Sequence, residues 1–352
     1  KWGLAVVKKP TWLEKWKLAL FGEPQPAVPP DALGDHLRAR FGCYDFSKDV
    51  TNNRTSFTNS QNSFELGMAS LKAEHSIGKV SMVADLGFGR RAEEFSYNDA
   101  NTMLAIKQLY ISYAISPKVK LTAGSWATHV GYELVDAAAN KNYSMSYMFS
   151  YGPFFHTGLK AEITTGKKSV LMIGLANPTD LKSATGANKF VIGQFATGTA
   201  NDKLKLYVNY QGGNADGVTR LSQVDVVATY AATDKFSVGL NATTQSVQAK
   251  ISDKWESAKS WWGTAVYLGY SFSDKFGLNW RNEIFNDKDA VTAAGIGGNV
   301  FASTLSANFT IDNLVIIPEV RLDNASTNAF MKSSGIATKS YSSFILAAVY
   351  KF

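Results

Sequence analysis

Few side chains in this sequence are spaced for catalysis. Ser125 and His129 are the pair whose residue types match a nucleophile and its base. They lie four residues apart on one face of a predicted strand, which separates them by about 13 Å, and nothing in the sequence orients the imidazole. The glycines of LGFGRR, Gly87 and Gly89, do not predict a phosphate loop, because no helix is expected after them. We therefore expect no enzymatic activity.

Metal and redox chemistry are equally weakly supported. The histidines, His36, His75, His129 and His156, are not spaced as metal ligands. Cys43 is the one cysteine, so a disulfide framework and a cysteine-rich metal site are excluded. The net charge is +7, but Lys and Arg are scattered, so no nucleic-acid-binding stripe is expected. We predict no cofactor and no metal.

From His36 onward, apolar residues recur at every second position. In LSQVDVVATY, residues 221–230, Val224 and Val226 alternate with Gln223 and Asp225. Residues 203–210 and 314–323 repeat the pattern. Strict alternation over about ten residues predicts β-strands and not helices.

Short and long connections alternate between these strands. Tight turns are predicted at 76–79, 116–118, 165–167, 201–203, 233–235, 273–275 and 312–313. Eight longer polar stretches flank or separate the hairpins. The count predicts about sixteen strands, with fourteen as the alternative, and both ends of the barrel on the tight-turn side. This pattern is typical of an all-β, up-and-down outer-membrane barrel with short periplasmic turns and long extracellular loops.

A soluble β-sandwich would also alternate, but three features favour the membrane barrel. The hairpins keep one up-and-down order over more than 300 residues of the 352. Aromatic residues lie next to the tight turns or the last residue, where an interfacial girdle belongs: Tyr230, Phe272, Phe309 and Phe352. Hydrocarbon cannot satisfy backbone polar groups, so the sheet must close. We expect the last strand to pair with one near 36–46. No apolar run is long enough for a transmembrane helix.

The rows opposite the apolar rows are expected to face an aqueous lumen. The predicted pore-lining residues are Glu65, Asp85, Lys120, Lys160, Glu162, Lys205, Asp225, Arg281, Glu283, Glu319 and Arg321. Charges of both signs predict weak ionic selectivity. Pairing of these charges across the wall is the alternative.

Residues 132–155 form the candidate pore-narrowing element. The stretch is long, lies on the long-loop side and carries Tyr143, Tyr147, Phe149 and Tyr151. So many aromatic residues would not stand free in water. Either the stretch folds inward and sets the size limit, or it extends the strands and packs on the rim.

Residues 1–35 form a separate segment ahead of the barrel, which we assign to 36–352. Thr11 and Glu14 make a capping box for a short amphipathic helix that carries Trp12 and Trp16. Four of the nine prolines follow it in PQPAVPP. A periplasmic extension packing on the barrel, an interfacial helix, a plug and a docking element for an envelope partner all remain open.

The sequence also resembles a known family. The stretches SFTNSQNSFELGMASLKAE, GKVSMVADLGFGRRAEEFSYND, AIKQLYISY and GYELVDAAANKNYSMSYMFSYGPFFHTGLKAE are similar to the OmpL-like β-barrel porin family of Bacteroidota outer membranes. The resemblance is best over 55–165. The ending YKF is similar to the C-terminal signal of outer-membrane proteins, which implies that Tyr350 and Phe352 are read by the barrel-assembly machinery.

Together these observations predict an outer-membrane porin of a Gram-negative bacterium, through which small solutes diffuse passively, with both termini in the periplasm. The expected partners are outer-membrane lipid, the assembly machinery and small solutes. The alternative is a plugged or structural barrel that binds a partner through residues 1–35 or the long loops.

Overall fold

The computed structural model describes residues 52–351 of the chain. The predicted capping box, Trp12, Trp16, Cys43, the expected strand near 36–46 and Phe352 therefore lie outside the described residues, as does the proposed extension 1–35.

The described chain is an all-β structure built around one antiparallel sheet of sixteen strands. Its strands are β1 (Ala69–Ile77), β2 (Val80–Phe88), β3 (Ile106–Ser116), β4 (Val119–Ala127), β5 (Phe155–Thr164), β6 (Val170–Ala176), β7 (Phe190–Gly198), β8 (Leu204–Asn214), β9 (Thr219–Ala231), β10 (Phe236–Ile251), β11 (Lys254–Trp255), β12 (Lys259–Ser273), β13 (Phe276–Asn286), β14 (Asn299–Ile311), β15 (Leu314–Ala325) and β18 (Ser340–Tyr350). The short strands β16 (Phe330–Met331) and β17 (Ala337–Thr338) pair only with each other.

Each long strand pairs with the next long strand along the chain, as an up-and-down barrel requires. All seven predicted tight turns join neighbouring strands, from the β1–β2 turn to the β14–β15 turn. The sixteenth strand is the two-residue β11, which pairs with β10. Within residues 52–351 no register joins β1 to β18, so the described sheet is not closed.

The predicted alternation is confirmed along the strands. On β9, Gln223 and Asp225 are buried, whereas Val224 is exposed. On β18, Phe344 and Leu346 are both 66% exposed, whereas the next residue, Ala347, is buried. Exposed apolar side chains on the outer face and polar side chains on the inner face are what a barrel in lipid needs.

An aromatic row lies near the tight turns on the outer face. Phe276 stacks on Phe309 of the next strand with ring centroids 4.9 Å apart, and Phe272 lies 5.2 Å from Phe276. Tyr230, Phe272 and Phe309 are exposed, as an interfacial girdle would be.

Helical structure is confined to the connections. The helices are α1 (Arg90–Phe95) and α2 (Tyr147–Tyr151), with 3-10 turns at Asn101–Ala105 and Ala137–Ala139. The expectation that no helix follows LGFGRR is wrong, because α1 begins directly after Gly89. Gly89 has φ +104°, and a Cβ there would lie 2.8 Å from the carbonyl oxygen of Gly67. Within residues 52–351, no helix is long and apolar enough to cross a membrane.

Candidate functional site

The connection from β4 to β5, residues 128–154, lies against the inner face of distant strands. We call it the inner segment. The backbone N–H of Gly131 donates to Asp225 of β9 at 3.0 Å, and that of Tyr132 donates to Asn241 of β10 at 3.3 Å. The Tyr132 ring stacks on Tyr267 of β12 with centroids 4.0 Å apart. The segment therefore reaches across the inner side of the sheet.

Two wall carboxylates hold the middle of the inner segment. Glu319 of β15 accepts hydrogen bonds from the backbone N–H groups of Tyr143 at 2.7 Å and Ser144 at 3.0 Å. Glu283 of β13 accepts from those of Tyr147 and Met148, both at 2.8 Å. The latter two N–H groups open α2 and have no partner within the helix, so a buried carboxylate suits that end.

Two wall arginines bind the carbonyl groups of the same stretch. Arg281 of β13 donates to Ser144 O at 2.6 Å and to Glu133 at 2.5 Å. Arg321 of β15 donates to Met145 O at 2.6 Å. Both guanidinium groups are buried, and a buried charge is tolerated only when it is paired and hydrogen-bonded. The wall arginines and the inner segment are therefore bonded to each other.

Asp180, in the connection between β6 and β7, fixes the end of the inner segment. Its Oδ1 accepts from the backbone N–H groups of Phe154 at 2.7 Å and Phe155 at 3.0 Å. The Tyr97 hydroxyl donates to Oδ2 at 3.0 Å. Burial disfavours the carboxylate and raises the pKa of Asp180 to about 7, although these donors act in the opposite direction.

The four aromatic residues proposed to narrow the pore all have partners. Tyr147 and Phe149 are buried, and the Tyr147 hydroxyl donates to Asp323 at 2.7 Å. The Tyr143 ring lies 5.2 Å from the Arg91 guanidinium. The Tyr151 hydroxyl donates to Arg54 O at 2.5 Å. Tyr147 therefore packs against the wall, Phe149 and Tyr151 contact the stretch 54–57, and Tyr143 contacts α1.

Ten of the eleven predicted pore-lining residues fall into two groups. The six whose side chains are buried are Asp85, Asp225, Arg281, Glu283, Glu319 and Arg321. The four that keep exposure lie nearer the tight turns: Lys120, Lys160, Glu162 and Lys205. Among these, Lys120 and Glu162 form an ion pair of 2.5 Å.

The placement of Glu65 on a strand is wrong. Strand β1 begins only at Ala69, and Glu65 lies before it, exposed, with an ion pair of 3.2 Å to Arg90. The helix α1, which the sequence analysis did not predict, carries this arginine. Glu65 therefore belongs to the long-loop side.

Sequence reasoning missed several residues that hold the inner segment. Asp323 shares the inward row of Glu319 and Arg321, so the alternation could have identified it. Lys107 lies at an irregularity in the β2–β3 register and pairs with Asp136 of the inner segment at 2.6 Å. Glu133 and Asp180 lie in connections, where no sequence pattern indicates which side chain turns inward.

Ser125 and His129 are not arranged as nucleophile and base. His129 Nε2 lies 3.1 Å from Tyr210 O, and its ring is 4.9 Å from that of His156. Burial lowers the pKa of His129 to about 4. Ser125 Oγ has no hydrogen-bond partner among the described residues. Across residues 52–351, no group of three or more His, Cys, Asp or Glu side chains could hold a metal ion.

A large cavity opens beside α1 and α2 on the long-loop side. Its volume is about 1240 Å³, and its lining includes Arg54, Tyr97, Tyr151, Gln245 and Trp261. The stretch 150–154 of the inner segment forms part of its wall. A solute arriving from the loop side would meet this cavity before the rest of the lumen.

One protein family matches most of the chain. The family model described as "Putative beta-barrel porin-2, OmpL-like" matches residues 41–352. No curated protein matches the chain at a significant level.

Solved structures share the fold at low sequence identity. The outer-membrane channel DcaP of Acinetobacter baumannii is 13% identical, with a TM-score of 0.54 over 82% of this chain and 85% of that one. OmpT of Vibrio cholerae is 10% identical, with a TM-score of 0.53 over 80% of this chain and 88% of its own. The anion-selective porin from Comamonas acidovorans is 9% identical, with a TM-score of 0.51 over 80% and 85%.

Proposed function

The chain belongs to the OmpL-like β-barrel porin family, and from this premise we propose that small solutes diffuse through its lumen past a constriction formed by the inner segment. The protein is an outer-membrane porin, a channel for small solutes. In this proposal the inner segment narrows the channel, and carboxylates of the wall hold the segment in place.

The observation that carries the proposal is the set of bonds between the wall and the inner segment. Glu283 and Glu319 together accept four backbone N–H groups of the segment. A connection that only covered the rim would not need buried wall carboxylates as partners. Because an unpaired buried N–H group costs about 1–3 kcal/mol, these bonds fix the segment across the lumen.

Further parts of the proposal concern biogenesis and orientation. We place the tight turns and both termini in the periplasm, since short periplasmic turns are general in such barrels. The barrel-assembly machinery would recognise the last strand, on which Tyr350 is 63% exposed. Residues 1–35 would contact an envelope partner or the barrel. Solute passage requires no catalytic step.

Channel recordings in planar bilayers test the constriction. The unaltered protein should form stable open channels. The double variant Glu283→Ala with Glu319→Ala should conduct more and fluctuate more, because the segment loses four backbone contacts. Glu256→Ala is the matched control, since that carboxylate is exposed in the connection between β11 and β12.

Two results would count against this function. The absence of channels from correctly folded protein would reject a porin. Equal conductance of the double variant and the unaltered protein would reject the inner segment as the constriction.

A plugged barrel is the second candidate. It is favoured by the close packing of the inner segment, in which Met145 and Tyr147 are both 0% exposed. In that case only the variants that loosen the segment would conduct.

A further inference from the structure

Some charged side chains of the inner wall are buried, and others are exposed to a solute in the lumen. The buried carboxylates of the wall are Asp85, Asp225, Glu283, Glu319 and Asp323, and the buried cations are Lys107, Arg281 and Arg321. Each of these eight groups is bonded to the inner segment or to another wall residue. None of these eight buried groups is exposed to direct contact with a passing ion.

The wall charges that stay accessible are mostly basic. In the inward rows of the described strands, towards the tight turns, they are Lys72, Glu74, Lys120, Lys160, Glu162 and Lys205. Glu74 pairs with Lys72, and Glu162 with Lys120 and Lys160. Lys205 has no ion pair among the described residues.

The rim at the tight turns also carries a net positive charge. Its lysines are Lys79, Lys118, Lys167, Lys168, Lys203, Lys235, Lys275 and Lys351, against Asp202, Asp234, Asp274 and Asp312. The rim thus carries eight lysines and four aspartates within residues 52–351. One of these aspartates, Asp202, is paired with Lys168 at 2.6 Å.

The long-loop side has no such imbalance. The remaining described charges, which lie in the long connections and the strand ends next to them, are thirteen basic and twelve acidic residues. The net positive charge of the described barrel is therefore concentrated at one mouth.

We propose that the tight-turn mouth and the lumen behind it form a basic funnel that makes this channel select small anions, including small carboxylate solutes. A cleft lined by one sign of charge concentrates the opposite ions, and rings of lysine or arginine favour anions in pores. This inference rests on the proposed channel function, and it adds the charge of the preferred solute.

The test is the reversal potential of the full-length channel under a KCl gradient. We expect a chloride-to-potassium permeability ratio between about 2 and 5 near 0.1 M salt, where the Debye length is about 10 Å. The ratio should fall towards one at 1 M, where the Debye length is about 3 Å. In proteoliposomes, gluconate should enter faster than lysine of similar size.

Matched variants locate the effect. Replacing Lys120, Lys160 and Lys205 by Gln should lower the permeability ratio at least twofold with open channels retained. Replacing Lys254, Lys288 and Lys332 by Gln removes the same charge from exposed positions on the long-loop side and should leave the ratio unchanged. Heat-modifiable gel mobility confirms that both triple variants are folded.

Three results would contradict the basic funnel. A ratio of one, or a preference for potassium, in the open unaltered channel overturns the funnel but leaves the porin function intact. Equal effects of the two triple variants also overturn it, because the selectivity would then follow total charge. Failure of the folded protein to conduct overturns the porin function, and this inference with it.

Discussion

At the residue scale, two acidic side chains of the wall act as hydrogen-bond acceptors for the backbone of the inner segment. Glu283 and Glu319 accept backbone N–H groups, and Asp180 does the same at the end of the inner segment. An acceptor buried in this way is stabilising only while its donors stay in place. The contribution of these carboxylates to stability therefore depends on the position of the inner segment.

Asp180 should make the stability depend on pH. Its pKa rises from 3.8 to about 7, so the folded state binds more protons than the unfolded state between these values. The free energy of unfolding should then be greatest at low pH and fall as pH rises towards 7, by at most about 1.4 kcal/mol per pH unit. Urea unfolding followed by tryptophan fluorescence measures this slope.

The variant Asp180→Asn keeps an oxygen acceptor for Phe154 and Phe155 but does not titrate. It should reduce the slope between pH 4 and 7, and Asp253→Asn, an exposed loop control, should not. An unchanged slope in Asp180→Asn would assign the pH dependence to other groups near it, such as Asp99 and Lys182.

At the scale of elements, the inner segment fits recesses left by glycines in the wall. A Cβ on Gly239 of β10 would lie 2.6 Å from the Tyr132 ring, and one on Gly263 of β12 would lie 2.4 Å from Met148. Both glycines occupy inward positions of their strands. Strand and segment therefore approach each other where the strand has no side chain.

Gly239→Ala should displace the Tyr132 ring from its stack on Tyr267. We expect a loss of about 1–3 kcal/mol in the free energy of unfolding, as in other overpacked sites, and altered single-channel conductance. Adding Tyr132→Ala should remove the clash and restore part of the stability. Gly193→Ala is the control, since its nearest neighbour would be Met172 O at 3.6 Å. If the double variant is as unstable as the sum of the two single changes, the contact is not the cause.

At the scale of the whole molecule, the exposed apolar rows identify the surface in lipid. Leu305 lies in the middle of β14 and Ile311 at its tight-turn end, on the same outward row, and they are 48% and 59% exposed. Apolar side chains of this size, repeated strand after strand, would not stay exposed to water on a soluble protein.

Arginine substitutions on this row should depend on depth. Leu305→Arg should lower the free energy of unfolding in lipid by about 2–4 kcal/mol, whereas Ile311→Arg should cost about 0–1 kcal/mol near the interface. Refolding into phospholipid vesicles at graded urea concentrations provides the measurement. Equal costs at the two positions would argue against lipid at this face.

The sequence by itself determined the strands, their order and the outward rows. Alternation has a period of two, and tight turns need particular residues, so both depend on residues that are close together in the sequence. For that reason Val224 and Asp225 could be assigned to opposite faces, and all seven tight turns were predicted correctly. The residues 36–46 and Phe352 lie outside the described residues, so closure of the barrel stays a prediction.

Only the tertiary structure decided which charges a solute can meet. The inward row predicts that Glu319 and Lys205 both face the lumen, but not that the inner segment covers the first and leaves the second exposed. The contact between Glu319 and Tyr143 joins residues 176 positions apart. Such contacts depend on how an irregular connection folds, and no short-range pattern encodes them.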